Sequence, residues 1–239
     1  MKPLRLLILL ALTVPVFAMP AFAGQPNNGM KAFKRGDYKT ALTLLTPLAE
    51  QGDASAQNTL GSMYYTGKGV AQDNSIAMKL FRQASEQGYA DAQYWLAFLY
   101  DNGHGATQDY VEALAWYTKA AEQSHAAAQY NVGLMLDSGR GALQDYAEAV
   151  KWYKKSAGQG HSDAQYNLAL MYSFGQGVEL DYIEAHKWSV ISAARATDHH
   201  AEGLALALRD QMAEKMTPAQ IKESRKLAQK WKPIKEPSK

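Results

Sequence analysis

The chain has 239 residues, a formal charge of +2, 47% hydrophobic residues and no cysteine. Lacking cysteine, it has no disulfides, no thiolate metal sites and no lipid anchor on a cysteine, so stability in an oxidising compartment must come from packing. The near-neutral charge argues against nucleic acid as a partner.

Lys2 and Arg5 precede an apolar stretch from Leu6 to Phe17. Its length suits a signal peptide and is short for a membrane span. Ala21-Phe22-Ala23 is an A-x-A cleavage signal. Residues 1–23 are therefore expected to be a cleaved leader of bacterial style. The mature chain would begin at Gly24 and be periplasmic or secreted; an uncleaved N-terminal anchor is the alternative. Without Lys2 and Arg5 the chain is formally neutral.

Residues 53–197 repeat with a period of 36, without insertion or deletion. Ala56-Gln57 returns as Ala92-Gln93, Ala128-Gln129 and Ala164-Gln165. A Gly-x-Gly follows in each unit, at Gly67/Gly69, Gly103/Gly105, Gly139/Gly141 and Gly175/Gly177. Next come an aspartate (Asp73, Asp109, Asp145, Asp181) and, four residues on, an alanine (Ala77, Ala113, Ala149, Ala185). A strict period of this length signals a solenoid in which each unit packs on its neighbours.

Each unit reads as two helices. Ala128, Val132 and Met135 form a helical stripe, which predicts a first helix over about 126–136 in the third unit. Gly61, Ala97, Gly133 and Ala169 leave room for a neighbouring helix. The first glycine of each Gly-x-Gly suits a left-handed helix C-cap. The second helix starts after the aspartate. Asp109, Asp145 and Asp181 precede Glu112, Glu148 and Glu184 by three residues, the spacing of a capping box, whereas Asp73 precedes Ile76. Ala113, Trp116 or Tyr117, and Ala120 recur at helical spacing in the second helix. The aromatics are expected to form the core.

Before the repeats, Asp37, Ala41, Leu44 and Gln51-Gly52 stand 36 residues ahead of counterparts in the next unit. Residues 24–52 thus read as a shortened helical pair, an N-terminal cap. Residues 198–239 read as a C-terminal cap of two helices and a basic tail. Thr217-Pro218-Ala219-Gln220 is a helix start with a capping box and proline at its first position. The segment Lys222–Lys239 carries seven basic and two acidic residues, which leaves the body at about −5. The tail is expected either to be solvated or to touch an anionic surface weakly.

The residues that carry the period resemble the Sel1-like repeat family, a relative of the tetratricopeptide repeat. Leu60, Gly61 and Tyr64 match the tetratricopeptide first helix, Ala77, Phe81 and Ala84 the second, and the Gly-x-Gly loop is the insertion that separates the families. The resemblance covers Asp53 to about Ala196. It implies an all-α, right-handed superhelical solenoid with terminal helical caps, and a protein-binding role without cofactor, such as envelope regulation, secretion support or toxin neutralisation; the chain is expected to be monomeric. Cysteine-rich members are associated with β-lactam hydrolysis, but they carry a cysteine pair in each repeat and this chain has none.

The tetratricopeptide correspondence places a concave face on the first helices. It assigns to that face Asn58, Ser62 and Tyr65; Tyr94, Phe98, Asp101 and Asn102; Tyr130, Leu134 and Asp137; and Tyr166, Leu170 and Phe174. Trp95 stands where later units have Asn131 and Asn167, so it joins the candidates. Aromatic anchors flanked by acids suit a peptide groove. Tyr94, Tyr130 and Tyr166 have an alternative role in packing between repeats. The Gly-x-Gly loops lack the Gly-Lys-Ser/Thr of a P-loop and follow a helix. No histidine spacing suits a metal: His125 and His161 read as helix-start surface residues, and His199-His200 point apart. The other function class is an envelope hydrolase acting on cell-wall fragments or β-lactams. It requires an acid, base and nucleophile that the sequence does not present, and no catalytic residue is assigned.

Overall fold

Turn chemistry that recurs every 36 residues builds the same helical pair each time. The computed structural model describes residues 25–234. The expected leader and Lys235–Lys239 lie outside the described residues. Twelve helices, and no strands, occur among the described residues. A first pair, α1 (Gln25–Lys34) and α2 (Tyr38–Glu50), precedes the repeats. The repeats follow as α3 (Ala54–Thr66) and α4 (Asn74–Glu86), α5 (Ala90–Asn102) and α6 (Tyr110–Glu122), α7 (Ala126–Ser138) and α8 (Tyr146–Gln159), and α9 (Ser162–Phe174) and α10 (Tyr182–Ala193). The chain ends in α11 (His199–Ala213) and α12 (Pro218–Lys230). From α1 to α11 each helix packs on its neighbours in sequence, and α12 packs on α10. The architecture is an all-α repeat solenoid.

Both glycines of each loop are required, for different reasons. The first (Gly67, Gly103, Gly139, Gly175) caps the first helix with φ of 67–69°. The second also has positive φ, and it touches the previous pair: a Cβ on Gly105, Gly141 or Gly177 would overlap the backbone of Asn74, Tyr110 or Tyr146, where the preceding second helix begins.

Asp73, Asp109, Asp145 and Asp181 cap the second helices, their side chains accepting N–H bonds from the first turn. The capping box is only half made. Each aspartate N–H already donates to a carbonyl of the preceding helix, at Tyr64, Tyr100, Leu136 and Tyr172. Glu148 and Glu184 have no donor to reach back to, and they pair forward with Lys151 (2.7 Å) and Lys187 (2.5 Å). At α12 both halves of the box form, between Thr217 and Gln220.

Ala77, Ala113, Ala149 and Ala185 are fully buried, as are Phe81 and Tyr153, with Tyr117 1% exposed. Gly61 and Gly133 sit against the Phe81 and Tyr153 rings, with no room for a Cβ. Where later units replace the alanine of Ala84 and Ala120 by serine, the hydroxyl finds a partner: Ser156 donates to Ala126 O (2.8 Å) and Ser192 to Ser162 O (2.9 Å).

The recurring glutamine makes a buried ladder. Gln57, Gln93, Gln129 and Gln165 donate to Ala49, Ser85, Ala121 and Ala157 carbonyls of the preceding second helix at 3.0–3.2 Å. The first three accept in turn from Gln87, Gln123 and Gln159 at 2.7–2.9 Å. Each rung ties three consecutive helices and satisfies polar atoms that burial would otherwise leave unpaired. The ladder stops at Gln165. Its Oε1 is buried without a partner, because Arg195 replaces the next glutamine and donates to Gly160 O (3.1 Å) instead.

Candidate partner-binding face

The first helices of the repeats, α3, α5, α7 and α9, contain no lysine or arginine. Their charged residues are Asp91, Asp101, Asp137 and Asp163. The candidate residues of this face divide into those held in packing and those left open.

Tyr94 and Tyr130 are half-buried and stack on the histidines that begin the next first helix, Tyr94 on His125 and Tyr130 on His161, each with ring centroids 4.8 Å apart. These histidines are N-caps, not simple surface residues. Nδ1 of His125 accepts the Ala128 N–H at 3.1 Å, and Nδ1 of His161 accepts that of Ala164 at 3.4 Å. Since a backbone N–H only donates, Nδ1 must be unprotonated in both. The remaining nitrogen of His125 lies 3.4 Å from Asp91, and its hydrogen bond lowers the Asp91 pKa against a smaller upward effect of burial. Burial lowers the pKa of His161. The sequence signal for these caps was their identical repeat position, where the first unit has Asp53.

Trp95 stacks on Phe81 (6.0 Å, 14°) and meets Tyr65 and Phe98 at 5.5 and 5.6 Å. His104, which the sequence did not single out, closes this cluster 6.1 Å from Tyr65 and 6.2 Å from Phe98. Asp101 faces Arg140 at 3.3 Å, with its side chain 16% exposed. Asp137 accepts from the Tyr153 hydroxyl at 3.1 Å, and that hydroxyl accepts from Asn167 at 3.2 Å. Burial raises both aspartate pKa values, opposed by Arg140 and by the Tyr153 hydrogen bond. Both acids therefore have partners within the fold.

The open part runs along the other positions. Asn58, Ser62 and Leu134 are half-buried, as are Tyr166 and Leu170, which also pack against the core cluster around Leu168. Asn102 is exposed and donates to Phe98 O (2.8 Å). Phe174, in the last turn of α9, is 65% exposed. Phe98, Leu134 and Leu170 occupy one repeat position, so the face carries an apolar row with Asp91 and Asp163 exposed beside it.

Among the described residues no group of three His, Asp or Glu side chains is gathered to hold a metal ion. Ser224 Oγ and His186 Nδ1 approach to 2.6 Å, but both residues are fully buried, so no substrate reaches them. Among the described residues no helix is long and apolar enough to cross a membrane. The basic tail is tied down at its start: Trp231 packs on Trp188, Arg195 lies over the Trp231 ring, and the Ile234 N–H donates to Gly158 O (2.9 Å).

Residues 54–89, 90–125, 126–161 and 162–195 each match the Sel1 repeat. No curated protein matches the chain. Among solved structures, a Sel1 repeat protein from Oxalobacter formigenes is 31% identical, with a TM-score of 0.69 over 83% of this chain and 88% of that one. The protein c5321, a protective antigen of uropathogenic Escherichia coli strains with an SLR fold, is 29% identical, with a TM-score of 0.57 over 88% of this chain and 53% of that one. A sel1 repeat protein from Klebsiella pneumoniae shares the fold at 22% identity, with a TM-score of 0.52 over 80% and 93% of the two chains.

Proposed function

The chain belongs to the Sel1 repeat family, and on that premise we propose that it is a non-catalytic scaffold that holds a protein or peptide segment against the face of its first helices. One observation carries the reading. Four consecutive first helices lack any basic residue, the last three present an apolar row at Phe98, Leu134 and Leu170, and α9 ends in the exposed Phe174. Such a face suits a segment that alternates apolar and cationic side chains, with apolar anchors supplying affinity and charges setting register. Asp163 and Phe174 are the residues best placed to meet the partner. Phe98, Asp101 and Asp137 shape the face from within, since their neighbours already engage them.

The leader expected at residues 1–23 puts the encounter in the envelope or outside the cell. Envelope regulation, secretion support and toxin neutralisation are roles consistent with that location. Against the hydrolase alternative stands the burial of the Ser–His contact found among the described residues, Ser224 with His186, which is sealed from substrate.

The test is capture from an envelope extract by the purified mature chain and by a variant carrying Asp163→Lys and Phe174→Ser. Both side chains are exposed, so the melting temperature should hold while capture of the enriched protein falls at least tenfold. Equal capture by both proteins contradicts this reading.

A further inference from the structure

The groove between α2 and α4 holds an open pocket of about 510 Å³. Leu80 forms part of its wall, and the period explains why the space is there. Leu80 stands at the repeat position held by Trp116, Trp152 and Trp188 in the next three units. Trp152 packs among Ala121, Val132 and Leu136. Two periods earlier, those residues are Ala49, Leu60 and Tyr64, which line the pocket. The first unit thus keeps the walls of a tryptophan site and fills it with a smaller side chain.

A second change falls at the same place. Glu112, Glu148 and Glu184 share a repeat position, and the first unit has Ile76 there, on the pocket wall and 39% exposed. At this position the rim is therefore apolar where the other units are charged, with Glu50 lining the α2 side. A cation is also in place. Each of the three tryptophans at this repeat position has a lysine over its ring: Lys119 at 3.6 Å from Trp116, Lys155 at 3.9 Å from Trp152, and Lys187 at 4.6 Å from Trp188. Lys79, on the pocket wall, holds the repeat position of Lys187. An aromatic face beneath an ammonium is attracted by the ring quadrupole.

We propose that the α2–α4 pocket receives a tryptophan side chain from a partner protein, which completes the first unit as Trp116, Trp152 and Trp188 complete the others. The three internal sites define the ligand: an indole, seated on an aliphatic residue (Leu96, Val132 or Leu168), with lysine above. The pocket lies on the second-helix side and does not depend on the first-helix face.

N-acetyl-L-tryptophanamide, titrated into the mature chain and followed by backbone amide NMR, should give saturable shifts at Ala49, Gln57, Lys79 and Gln83. N-acetyl-L-leucinamide should bind at least tenfold more weakly. Leu80→Trp should occupy the pocket, weaken the tryptophan probe at least tenfold and raise the melting temperature. Absence of saturable shifts at millimolar probe, or equal binding by Leu80→Trp, overturns the site. So does tighter binding of free tryptophan than of the blocked amide, which would make the ligand a metabolite. If Leu80→Trp fails to fold, the contrast between the two probes on the unmodified protein decides: equal shifts from both overturn the proposal.

Discussion

Gly141 meets two demands at once: a φ of +76° and the absence of a Cβ against the Tyr110 carbonyl. Gly36 meets only the first, with φ +80° and open space around it. Gly36→Ala should cost about 1 kcal/mol, the usual penalty of a left-handed residue with a side chain. Gly141→Ala should cost about 2–4 kcal/mol, because the overlap is with backbone of the adjacent unit and cannot be relieved by a rotamer change. Denaturant titration of the two variants checks the difference, and equal losses would show that the loop does not press on the preceding unit. Trp152, 8% exposed and packed into the cluster of the preceding unit, should cost roughly 3–5 kcal/mol on truncation to alanine. A melting temperature lowered by only a degree or two would mean that its burial contributes little.

At the scale of the helix, the caps decide what was legible. Asp73, Asp109, Asp145 and Asp181 and the four C-cap glycines could be read directly, since a short acceptor side chain and a left-handed glycine each have one local use. The reciprocal glutamates could not, because whether the N-cap N–H is free depends on the Tyr100, Leu136 and Tyr172 carbonyls of another helix. The same holds for the candidate face. Its helical positions follow from the period, but the engagement of Asp101 by Arg140 and of Asp137 by Tyr153 arises from tertiary contacts that no spacing encodes. The His161 cap and the buried His186 carry a pH consequence. Burial lowers the pKa of His161, with His125 adding repulsion and Asp163 opposing, and burial also lowers that of His186, with Arg225 and Arg209 adding and Asp210 opposing. A histidine whose folded pKa lies below its unfolded value stabilises fully above the unfolded value, about 6.5. That stability is lost as pH falls through 6.5 toward the folded pKa. The melting temperature should therefore drop between about pH 7.5 and 5. His161→Asp, which installs the capping residue that the first unit uses at Asp53, should flatten that drop. An unchanged profile would show that His161 does not titrate on unfolding.

Over the whole molecule, repetition makes each unit a control for the others. The glutamine ladder, the second glycines and the alanine row are shared interfaces, and they explain why the period tolerates no insertion. The departures are then conspicuous: Leu80 among tryptophans, Ile76 among glutamates, and Arg195 ending the ladder. Conserved contacts between units explain the fold, and the departures point to binding. The proposed partner lies along the first-helix face, where site-specific photo-crosslinking can trap it. A photoreactive phenylalanine analogue at position 174, in the last turn of α9, is compared with one at position 111 on α6; the native side chains at both are 65% exposed. With the partner on that face, position 174 gives one dominant protein adduct in envelope extract and position 111 gives none of that species. The same adduct from position 111, with none from position 174, would contradict that placement.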